Sequence, residues 1–80
     1  MLAEAITAAQ VLKMLYFLEP QGPYAPDYGE ISEAIATASN QDPLFPQRPD
    51  GCIRTAAILV SVAWYESRFH KSVEIGRAHV

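Results

Sequence analysis

One cysteine and two histidines are all that this sequence offers to thiol or soft-metal chemistry. Cys52 alone can close no internal disulfide and build no multi-cysteine metal site, so it is expected as a small, partly buried residue near a helix start. Neither histidine has a second ligand at H-x-x-x-H spacing, and His70 is expected to be a polar residue in a turn. No metal and no cofactor is expected. Basic residues are also scarce: six Lys and Arg stand against nine Asp and Glu, a net charge of −3. That balance supplies no cationic footprint for nucleic acid or for an anionic membrane surface. A long apolar run is missing too, since residues 55–65 fall well short of the ~20 that a membrane-spanning helix requires. The first residues, Met1-Leu2-Ala3-Glu4, lack the basic n-region of a secretory signal. Serine hydrolysis has no G-x-S-x-G elbow and no histidine placed to serve Ser67.

What remains is half hydrophobic and 19% charged, a composition that folds. Eighty residues allow one small domain or part of one. From Leu2 to Leu18, Glu4, Thr7, Gln10 and Lys13 recur every three positions and leave Leu2, Ile6, Ala9, Leu12, Leu15, Tyr16 and Leu18 on a broad apolar face. This predicts an amphipathic helix that stops at Glu19, before Pro20. Three prolines and a glycine make residues 19–26 a stiff, extended connection. A second helix is predicted from Tyr28 to Ala38, with Asp27 as N-cap, Glu30 completing a capping box, and Ile31, Ala34, Ile35 and Ala38 on one face. A proline-punctuated loop follows, with Leu44 and Phe45 expected in the core. Asp50 is then expected to cap a third helix from Cys52 to Arg68. The fold class read from this pattern is all-α, with about three helices.

The last seven residues are unlike the rest. Glu74-Ile75-Gly76-Arg77-Ala78-His79-Val80 back-translates as GAG ATC GGA AGA GCA CAC GTC, which reads in frame as the opening of a sequencing adapter. Residues 74–80 are therefore expected to be a non-native tail, and residues 1–73 the part that carries fold and function.

The chain is organised around Thr55 to His70, a nearly uninterrupted apolar helix that ends in a lone carboxylate, Glu66, followed by Ser67, Arg68 and Phe69. Leu59, Val62 and Ala63 lie seven, four and three residues before Glu66, so the carboxylate continues their stripe. That position predicts a half-buried group whose charged form is poorly solvated, as a general acid near neutral pH requires. A helix-terminal glutamate that reaches solvent, or pairs with Arg54 or Arg68, is the plain alternative. Trp64 is expected to pack, whereas Tyr65 serves equally well as core or as a stacking face for sugar.

Ala63-Trp64-Tyr65-Glu66-Ser67-Arg68-Phe69, at the end of its apolar helix, resembles the helix that carries the catalytic glutamate in soluble lytic transglycosylases, lysozyme-like enzymes that cleave peptidoglycan. The resemblance covers residues 54–73. It implies an incomplete lysozyme-like domain. It also implies that Glu66 protonates the glycosidic oxygen between N-acetylmuramic acid and N-acetylglucosamine, then takes the proton of the attacking sugar hydroxyl to leave a 1,6-anhydro product. One acid serves both steps in that family, and no second acid stands convincingly beside Glu66 here, so the two-carboxylate plan of most glycosidases is not expected. Ser67 is implied as a local hydrogen-bonding support. After Phe69 the family often has Asn then Pro, where this chain has His70 and Lys71, which leaves the helix exit open. The family's later G-L-x-Q motif and opposite cleft wall are not found in the sequence, so the chain by itself is expected to have little or no activity. Peptidoglycan strands are the implied partner, and a bacterial envelope or a bacteriophage lysis apparatus the implied location.

The competing reading is a helical interaction module without catalysis. In it the same apolar stripes self-associate or bury against a partner, with Glu66 at the rim.

Overall fold

The computed structural model describes residues 3–70, in which three α-helices and one short 3₁₀ turn follow in order with no strand. The chain is all-α, as the spacing predicted. Leu2, Glu74 and the tail 74–80 lie outside the described residues.

Helix α1 spans Ala8–Leu18, so it begins six residues later than the polar spacing suggested. The reason is local. Thr7 has an extended backbone, its hydroxyl accepts from the Gln10 amide, and the Gln10 side chain accepts in return from the Thr7 amide, a complete capping box that fixes the helix start. The residues before it find better partners elsewhere. The Ala3 and Glu4 amides donate to the carbonyls of Pro46 and Pro49, and the Asn40 side chain clamps Ile6 at both its amide and its carbonyl. Periodicity alone could not see these distant partners. Ile6 is buried all the same, whereas Ala9 is exposed.

After Glu19 the proline-rich connection ends in a 3₁₀ turn over Ala25–Asp27, and α2 runs Tyr28–Gln41, three residues past its expected end. The 3₁₀ turn leads into α2 directly, and Asp27 makes no side-chain cap bond, so the expected capping box is not formed. The buried face of α2 is Tyr28, Ile31, Ser32, Ile35, Ala36 and Ser39. Ile31 and Ile35 sit where their spacing put them, while Ala34 is exposed.

Helix α3 spans Gly51–Ser67. Asp50 does not cap it. Its carboxylate is held by Arg54 at 2.8 Å and by Arg48 at 3.1 Å, and these bonds keep Asp50 below its ordinary carboxyl range. Thr55 performs the local anchoring instead: its hydroxyl donates to the Gly51 carbonyl and accepts the Leu44 amide. Leu44 and Phe45, expected in the core, are 57% and 38% exposed. The loop is held by its main chain, and Gly51 is needed there because a Cβ would collide with the Phe45 carbonyl.

The core is where the three helices meet: Val11 and Leu15 from α1, Tyr28, Ile31 and Ile35 from α2, Cys52, Ala56, Val60 and Ala63 from α3, and Phe69 beyond it. Cys52 is buried near the start of α3, as expected.

Candidate active site

The buried line of α3 is Cys52, Ala56, Val60 and Ala63, at steps of four and three. The next step inward is Ser67, whose hydroxyl donates to the Ala63 carbonyl and accepts the His70 amide. Glu66 precedes it by one residue, about 100° around the cylinder at 3.6 residues per turn. Glu66 is accordingly exposed, and the expected half-burial does not occur. Its stripe-mates diverge: Ala63 is buried, Leu59 half-buried and Val62 46% exposed. The apolar run misled because it is greasy all round, and an all-round pattern cannot say which side faces the core.

No hydrogen bond or ion pair ties the Glu66 side chain to another described residue. The two arginines that offered themselves as partners are engaged elsewhere, Arg54 with Asp50 and Arg68 with Glu19. Glu66 instead lines an open depression of ≈490 Å³ with Leu18, Ser61, Val62, Trp64 and Tyr65. Tyr65 is 84% exposed, so its ring is available to a ligand. Trp64 packs against the core as expected, and its indole N–H donates to Glu19 Oε1 at 2.9 Å. One face of Trp64 is covered, because the Arg68 guanidinium lies 4.6 Å from the ring centroid. Of the two rings Tyr65 is the more open.

Glu19 is the acid that sequence reasoning missed. It ends α1, and its Oε1 accepts both from Trp64 and from Arg68 Nη1 at 3.0 Å. Its carbonyl accepts the Tyr28 hydroxyl at 2.9 Å. A half-buried indole N–H at a helix end demands an acceptor, and that demand was the one available signal.

The exit from α3 is a left-handed reversal. Arg68 and Phe69 have φ of 55° and 72°, conformations that bulky L-residues seldom adopt. The Arg68 amide donates to the Trp64 carbonyl and the Phe69 amide to the Ala63 carbonyl, and the reversal throws Phe69 back into the core against Tyr28, ring centroids 5.5 Å apart and edge-to-face. His70 meets Tyr24 edge-to-face at 4.5 Å, in a turn as expected. Here the helix exit that the sequence left open is resolved. It positions Glu66 on the last full turn of a helix whose end is pinned from both sides.

Among the described residues no three His, Cys, Asp or Glu side chains gather to hold a metal ion, and no helix is long and apolar enough to cross a membrane. Comparison with protein-family models, with curated proteins and with solved structures finds no match in any of the three.

Proposed function

We propose that this chain carries the general acid/base of a peptidoglycan-cleaving lytic transglycosylase, with Glu66 in that role and the three helices forming one part of a lysozyme-like domain. The observation that carries the reading is the pairing of Glu66 with an open apolar trough and an exposed aromatic, Tyr65. A glycan laid in the trough would have a ring face to stack on and a carboxylate with no competing side-chain partner among the described residues. Glu66 would donate its proton to the glycosidic oxygen as the bond to the anomeric carbon breaks. It would then accept the proton of the sugar's own hydroxyl as that oxygen closes on the same carbon. No cofactor enters this sequence.

The acid step needs a wall that excludes water from Glu66 once the glycan is bound. The described helices supply one side of such a cleft. The reading accordingly includes little or no activity for these 80 residues alone. The test is a zymogram on purified cell walls with the complete gene product: Glu66→Gln should remove about 10²–10⁴ of the clearing rate, as expected for loss of a general acid/base. Equal clearing by the variant sinks the assignment.

The competing helical interaction module has one observation in its favour, the 84% exposure of Phe17 on the same side of the molecule as Tyr65. Under that reading wall clearing is absent in the complete protein, with or without Glu66.

A further inference from the structure

The trough beside Glu66 does not stop at Leu18 and Ser61. A second depression, lined by Lys13, Met14, Phe17, Leu18, Ala57, Val60 and Ser61, shares those two residues with the first, so one continuous groove runs between α1 and α3. Its floor and walls are apolar, and its two ends carry opposite charges: Lys13 at one and Glu66 at the other. Along α3 the ends are separated from Ala57 to Glu66, about 13 Å at 1.5 Å per residue.

Among the described residues the charge at each end is uncommitted. Of the Lys and Arg side chains among the described residues, Arg48 and Arg54 are paired with Asp50 and Arg68 with Glu19, while Lys13 is exposed with no ion pair to a described residue. Glu66 is exposed and equally unpaired within the described chain. Between the charges stand large apolar side chains turned to solvent, Phe17 at 84% and Val62 at 46% exposure, beside the small residues Ala57 and Ser61 that leave room for a knob.

From this arrangement we propose that the occupant of the groove is a second copy of this chain, docked antiparallel along the groove about a two-fold axis near Leu18 and Ser61. A groove that is positive at one end and negative at the other is complementary to itself after a half-turn. Rotation sets each Lys13 against the partner's Glu66, twice, as an isologous interface requires. It also carries each Phe17 toward Val62 and Tyr65 at the other end of the opposite groove. Charges at the rim of such a contact select orientation, and the apolar centre supplies the binding. The inference uses Glu66 only as a charge and is independent of glycan cleavage, although a glycan and a second copy would exclude one another from the same groove.

The test is sedimentation equilibrium of the full chain across a range of concentrations, with far-UV circular dichroism to verify the fold of each variant. The wild-type chain should dimerise, more weakly as salt is raised. Lys13→Glu and Glu66→Lys, both at exposed positions, should each weaken the dimer by at least about tenfold because like charges then face each other twice. The double variant Lys13→Glu/Glu66→Lys should recover affinity to within a few-fold of wild type. A chain that stays monomeric, a dimer indifferent to both single reversals, or a double variant that fails to recover overturns the proposal. None of these outcomes bears on the zymogram, so the two readings fail separately.

Discussion

Trp64 donates its indole N–H to Glu19 Oε1 at 2.9 Å across 45 residues of sequence, and that bond joins the end of α1 to the end of α3. The Glu19 side chain is 21% exposed and Arg68 61% exposed, so the ion pair between them is the weaker part of the junction, about 0–1 kcal/mol. The Trp64 bond ends on a charged acceptor in a more sheltered place and is worth about 1.5–3 kcal/mol. Glu19→Ala should therefore destabilise the chain by about 2 kcal/mol, whereas Glu19→Gln, which still offers Trp64 an acceptor, should cost about 1 kcal/mol or less. Urea unfolding followed by fluorescence of Trp64, the single tryptophan, measures both. Equal losses for the two variants would show that the ion pair, not the indole bond, holds the ends together.

At Arg68 the left-handed reversal sets one cost against two gains. Holding Arg68 at φ 55° costs about 1–2 kcal/mol, and glycine would remove that cost. Glycine would also remove the guanidinium from the Trp64 face, about 0.5–1 kcal/mol, and the exposed pair to Glu19. These terms nearly cancel, so Arg68→Gly is expected within about 1 kcal/mol of wild type. Phe69→Ala has no such compensation. Phe69 is fully buried, and its truncation should cost about 3–5 kcal/mol, enough to leave a chain of this size largely unfolded. Thermal denaturation of the two variants side by side checks the contrast.

Tyr28 is expected to contribute to the loss of stability at alkaline pH. Its ring is fully buried, and burial, reinforced by the negative charge of Glu19 and by Tyr16, raises its phenol above the ordinary 10.0. The unfolded chain then releases the Tyr28 proton at lower pH than the folded one does. Below about pH 10 the phenol is protonated in both states and its contribution is intact; as pH climbs through the raised folded value, that contribution is lost. Urea midpoints at about pH 8 and about pH 11 should fall further for wild type than for Tyr28→Phe, which has no proton to lose. At the lower pH the Phe variant should be the less stable by about 1 kcal/mol, the hydroxyl bond to the Glu19 carbonyl. A parallel decline of both proteins would remove Tyr28 from the alkaline transition.

The three helices were legible because each has a local cause: the spacing of Leu12, Leu15 and Leu18, of Ile31 and Ile35, and the long apolar run of α3. Their limits were less so. The capping box at Thr7 was written in the sequence, yet the polar spacing before it was equally regular, and only the distant partners Asn40, Pro46 and Pro49 decide against a longer helix. Glu66 was visible as a motif, but not its exposure, which depends on which side of an all-apolar helix meets α1 and α2. The reversal at Arg68 had no glycine to announce it. Glu19 was hidden because its role depends on Trp64 and Arg68, near the far end of the described chain.

The join between α2 and α3 is fastened by main-chain groups: the Pro46 and Pro49 carbonyls to Ala3 and Glu4, the Leu44 amide to Thr55. Its side chains contribute little to that fastening, since Leu44 and Phe45 face outward. Leu44 can therefore be replaced at small energetic consequence, while the length of the segment governs whether the Pro46 and Pro49 carbonyls still meet the Ala3 and Glu4 amides.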